Sequence, residues 1–120
     1  MHILGLVAQI VIALGIFNVW VLRYGKATAY RGGSARNMRE EFAAYGLPFS
    51  IMCLIGGLKV TLAIALVVGI WVPVLVMPAA IGMAVLMLGA IGMHLKVGDP
   101  PLKALPAVCM LGLSIVAAVL

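Results

Sequence analysis

Lys59 is the residue that most needs a chemical explanation. It is the one charge inside an apolar run from Phe49 to about Trp71, ten residues from the start. If that run crosses a bilayer, Lys59 sits near the midplane. Its side chain reaches roughly 6 Å while the interface is about 15 Å away, so snorkelling relieves it only in part. A central lysine costs about 2.5–3.5 kcal/mol to insert. The only acids are Glu40, Glu41 and Asp99, and all fall between apolar runs. The expected partners are therefore Gln9, then Asn18, then backbone carbonyls or water. Two readings stand: an anion or proton site (or a contact to an acidic group on another subunit or ligand), and a lysine kept neutral or hydrogen-bonded to Gln9 inside a bundle.

His94 is the second candidate, with Lys96 and Asp99 close behind it. A lone histidine there can shuttle protons or bind a quinone headgroup, and it can equally be an ordinary interfacial polar residue. His2 lies at the other end of its span, so the two histidines cannot share a haem or metal site within one chain. Metal-ligand spacings are absent. Cys53 and Cys109 form no C-x-x-C pair and read as small apolar residues. No Ser-His-Asp set, phosphate loop or carboxylate pair is visible, so no catalytic constellation can be assigned.

The elements that must position these residues follow from composition. Of 120 residues, 66% are apolar and 9% charged, with mean hydropathy +1.29. Soluble domains carry about 25% charged residues, and disordered chains far less apolar surface. Four runs near bilayer length are expected at about 3–22, 49–71, 74–93 and 102–120, in one integral membrane domain. Met1-His2-Ile3 has no basic lead, so the first run reads as a retained span and not a signal peptide. The runs are apolar on every side, unlike alternating barrel strands. The fold class is all-α: a four-transmembrane-helix antiparallel up-down bundle.

The segment between the first two spans is expected to hold a short helix over about 35–45. Ser34 can cap it; Met38, Phe42 and Tyr45 share one face; Gly46 and Pro48 stop it. It reads either as an interfacial helix on the cytoplasmic membrane surface or as a plain connector. Along the second span, Gly57, Thr61, Ala65 and Gly69 repeat every four residues as a small-residue packing stripe. Lys59 projects away from that stripe, toward Ile55, Leu62, Ala63 and Leu66.

Seven of the eight basic residues (Arg23, Lys26, Arg31, Arg36, Arg39, Lys96 and Lys103) flank the first and third connections. The positive-inside rule then puts both connections in the cytoplasm and both termini outside. The same distribution accounts for the net charge without nucleic acid.

Four stretches also carry a family resemblance. They are Glu41-Phe42-Ala43-Ala44-Tyr45-Gly46-Leu47-Pro48, Gly56-Gly57-Leu58-Lys59, residues 84–90, and His94-Leu95-Lys96-Val97-Gly98-Asp99-Pro100. Over most of residues 20–110 the chain resembles the DoxX-like family of small four-helix bacterial membrane proteins. The resemblance implies a multi-pass protein of the bacterial cytoplasmic membrane; some members are subunits of membrane oxidoreductases, including a thiosulfate:quinone type. Relatives often carry glutamate where this chain has Lys59, so a role tied to that acid does not transfer, and the family supplies no catalytic residues. The expected function is an accessory or structural subunit of a larger membrane assembly or a homo-oligomer, with quinone or bound lipid as the conceivable ligand. The alternatives are a small transporter or anion or proton conduit using Lys59, and a membrane enzyme acting on quinone or lipid. The enzyme would act through His94 and Asp99, which with Glu40 and Glu41 are the candidate polar residues of the cytoplasmic face.

Overall fold

The computed structural model describes residues 3–22 and 37–120. Helix α1 (Ile3–Phe17) continues into a π-helical turn (Asn18–Leu22); α2 (Met38–Ala44) is short; α3 spans Phe49–Val68. A 3₁₀ turn (Pro73–Leu75) leads into α4 (Val76–Lys96), and α5 covers Pro101–Val119. Ser34, Arg23, Lys26, Arg31, Arg36 and the first residues of the helix expected at 35–45 lie outside the described residues.

Four of these helices are long and apolar enough to cross a membrane. They form a ring in which α1 packs on α3, α3 on α4, α4 on α5, and α5 back on α1. In two of these pairs the start of one helix meets the end of the other. Gly5 near the start of α1 lies against Leu120 at the end of the chain, and Trp20 after α1 lies against Gly56 in α3. Only 17 to 28% of each span's most apolar window is buried inside the chain. Most of the helix surface is therefore apolar and outward, as lipid requires.

The interior is made of small and flexible residues. Ala8, Ile12 and Ile16 of α1 meet Ala63 and Leu66 of α3, Ala79, Ala80, Met83 and Met87 of α4, and Ala107 and Ala117 of α5. In hydrocarbon, helices associate through close fit, and alanine lets backbones approach. Two buried polar residues sit in this core with their bonds made. The Ser114 hydroxyl donates to the Met110 carbonyl at 2.8 Å. Gln9 Nε2 donates to the Leu66 carbonyl at 2.8 Å. That carbonyl is available because the Ile70 amide turns to Val67 as α3 tightens at its end.

Gln9 is thus an α3 end-cap and not the partner of Lys59. Its bonding level is Leu66, seven residues or roughly 10 Å further along α3. The packing stripe also divides differently from expectation. Gly69 is buried against Val76, but Gly57 and Thr61 are exposed, and among the described residues nothing approaches the open side of Gly57. The close helix contact in this half of α3 falls on the neighbouring Gly56, where a Cβ would run into the Trp20 indole.

Candidate functional site

The site forms where two helices end by the same device. Helix α2 starts at Asn37, whose side chain accepts from the Glu40 amide at 2.8 Å and donates back to the Glu40 carboxylate at 2.9 Å. This reciprocal cap occupies Glu40 in local structure. The helix stops with Gly46 at φ +77°, Gly46 N–H donating to Ala43 and Leu47 N–H to Phe42. Helix α4 stops the same way: Gly98 has φ +71°, its N–H donates to Leu95, and Asp99 N–H donates to His94. This double bond with a left-handed glycine folds the residue after the glycine back over the helix's last full turn. It brings Asp99 onto His94.

The His94 Nδ1 to Asp99 Oδ2 distance is 2.8 Å, and both side chains are buried. Lys103, one turn into α5, lies 3.9 Å from the other Asp99 oxygen. On the opposite edge of the imidazole, Nε2 meets the Tyr45 hydroxyl at 3.4 Å, with the rings edge to face at 5.8 Å. The Tyr45 hydroxyl also donates to Glu41 Oε1 at 3.0 Å, one helical turn back. Lys96 closes this dock by donating to the Tyr45 carbonyl at 2.9 Å.

Sequence patterning correctly gives Met38, Phe42 and Tyr45 one face, but that face does not rest on lipid. It is buried against the protein: Met38 and Phe42 pack with Met52, Val19, Trp20, Leu47 and Ile55. The aromatic rings form a ladder, Tyr45 to Phe42 at 5.9 Å and Phe42 to Trp20 at 5.8 Å. Trp20 belongs to the π-helical turn. That wider turn rotates side chains relative to the α-helix before it.

Lys59 meets the other face of this ladder. It is buried on the α3 face of Met52, Gly56, Ala63 and Leu66, away from Gly57 and Thr61. Its ammonium lies 5.5 Å from the centre of the Trp20 ring, within cation–π range. Gly56, one turn nearer the charged end, leaves room for the indole. Helical side chains lean toward the N-terminus, so the lysine stem points toward α2. Asn18, the second partner expected for Lys59, is exposed.

The residues that patterning treated as two separate candidates therefore belong to one array. It runs from Lys103 through Asp99, His94 and Tyr45 to Glu41, and the aromatic ladder carries it from Tyr45 through Phe42 and Trp20 to Lys59. Tyr45 was the residue missed as a polar group, because its spacing with Phe42 reads as an apolar face. The available signal was the glycine at position 46 matching the glycine at 98, which predicts two helix ends able to meet. Among the described residues, no three His, Cys, Asp or Glu side chains group to hold a metal. Cys53 and Cys109 are exposed free thiols.

Four membrane-length helices over such a polar end define a multi-pass α-helical membrane protein. The DoxX-like family model matches residues 12–117, and the chain belongs to that family. No curated protein and no solved structure gave a significant match.

Proposed function

We propose that this chain is an accessory subunit that joins a larger assembly in the bacterial cytoplasmic membrane, through other membrane proteins or further copies of itself. The observation that carries this reading is the outward turn of Gly57 and Thr61 on α3. Close fit is what associates helices in lipid, and here the fit-giving stretch is left unused among the described residues, with Gly57 open and Thr61 bonded to its own helix at 2.7 Å. The grooves on the outer surface agree. One, of about 300 Å³, runs between α1 and α3 past Leu14, Phe17, Ile64 and Val68. Another, of about 350 Å³, runs between α4 and α5 past Ile81, Val85, Ile115 and Val119. Apolar grooves of this kind accept a lipid chain or a neighbouring helix.

The other readings draw less support. An anion conduit needs Lys59 facing an aqueous path, and Lys59 is buried with its ammonium 5.5 Å from the Trp20 ring. An enzyme using His94 and Asp99 on quinone or lipid needs access to two side chains that are each less than a tenth exposed. In the orientation supported by the basic residues, α2 and the α4–α5 turn face the cytoplasm.

The test is purification in mild detergent, with and without Gly57→Ile. A larger complex or homo-oligomer that the substitution dissociates supports the subunit reading, and a monomer in both cases removes it. Impermeant-thiol labelling of Leu120→Cys in intact cells, in a Cys53→Ala/Cys109→Ala background, checks the orientation. Labelling from outside is expected.

A further inference from the structure

The array at the charged end poses a hydrogen-counting problem. Ionised Asp99 only accepts, so the 2.8 Å contact places a proton on His94 Nδ1. The Tyr45 hydroxyl has one hydrogen, and it is directed to Glu41. The remaining contact, Nε2 to the Tyr45 oxygen, is a hydrogen bond only if Nε2 also carries a proton. All three contacts are satisfied together by a charged imidazole and an ionised Glu41. A second arrangement satisfies them equally: neutral His94 accepts at Nε2 from Tyr45, and a protonated Glu41 donates to the Tyr45 oxygen.

We propose that the Tyr45 hydroxyl relays one proton between His94 and Glu41, so that the end of the bundle holds a shared, mobile proton. In the transfer the Nε2–H bond breaks as a new O–H forms on Tyr45. The original Tyr45 O–H bond breaks as an O–H forms on Glu41. No electrons change hands and no co-reactant is needed. The charge moves from the α4 end to α2 while the total is unchanged.

The surroundings suit such a relay. Asp99, backed by Lys103 of α5, fixes the Nδ1 proton and holds the ring's orientation. Lys96 of α4 anchors the backbone of Tyr45. Lys59 of α3 lies at the Trp20 end of the aromatic ladder that starts at Tyr45. Glu40 is engaged by Asn37, and Arg39 stacks on Phe49 at 4.7 Å. Among the described residues, Tyr45 bridges the two sites.

The experiment uses the full chain in lipid nanodiscs, with the His94 imidazole followed by ¹⁵N NMR and the Glu41 carboxyl by ¹³C NMR across pH. Sites sharing a proton titrate in common macroscopic steps. In the wild type, every step in the imidazole signal is expected in the carboxyl signal at the same midpoint. Tyr45→Phe, which keeps the ring contacts and removes the bridge, is expected to separate the two sets of midpoints. Independent titration in the wild type, or coincident midpoints that persist in Tyr45→Phe, overturns the relay. If that variant does not fold, Glu41→Gln decides: a His94 midpoint moved by about one pH unit supports the relay, and an unmoved one overturns it.

Discussion

The two ends of the helical ring are built on different principles. At one, α2 and the α4–α5 turn lock together through directional bonds among Tyr45, Glu41, His94, Asp99 and Lys96. At the other, the α3–α4 turn from Trp71 to Leu75 is exposed throughout, and Trp71 and Val74 are more than three-quarters exposed. Trp71 there suits the membrane–water interface, where its ring is stable half in lipid. Two ends with the same task of reversing a helix thus have unequal content. Connecting helices needs only Pro73 and a turn, whereas the first end holds buried titratable groups that mere connection does not require.

Substitutions test how sharply the two ends differ. Phe42→Asp is expected to have the largest effect. It removes the centre of the aromatic ladder, for which Phe truncations alone cost about 3–5 kcal/mol, and it puts a charge against Trp20. Helix α2 should undock while the four spans persist, seen as rapid proteolysis near residues 37–47 with unchanged helical circular dichroism. Gly56→Leu should follow, at about 1–3 kcal/mol from overpacking against the indole. Shifted Trp fluorescence and a lower unfolding midpoint in detergent would register it.

Asp99→Ala comes next and is comparable in size. It leaves His94 Nδ1 buried without its acceptor, a loss of about 1–3 kcal/mol, read as faster hydrogen exchange at the α4 terminus. Asn37→Ala removes the α2 cap at about 1 kcal/mol, and should loosen α2 alone. The smallest effect belongs to the opposite end. Val74→Ala is expected to change stability by no more than about 0.5 kcal/mol. A loss there as large as that of Asp99→Ala would erase the contrast between the ends.

Part of the charged end was legible from residue order. Gly46 and Gly98 mark helix stops, and both adopt the left-handed conformation that favours glycine. His94 and Asp99 at that spacing are brought together by the local turn itself. Helix α4 nevertheless runs to Lys96, beyond the stop expected near 93, so His94 is held inside the last turns and not at a frayed end. The pairing of Lys59 was not legible. Patterning offered Gln9 by depth, and the actual neighbour, Trp20, comes from a π-helical turn whose docking no linear spacing reveals.

The sequence by itself determined that this is a four-span α-helical membrane protein, because backbone groups in hydrocarbon must bond within their own helix and run length measures the crossing. It also determined which residues carry charge and that Gly46 ends the short helix. Only the tertiary structure decided that Gly56 rather than Gly57 meets a neighbour, that the Phe42 face covers protein, and that Lys59 and His94 flank one network. The reason is physical: lipid tails and protein interiors present nearly the same apolar environment, so hydrophobic pattern cannot tell a side chain which of the two it will touch.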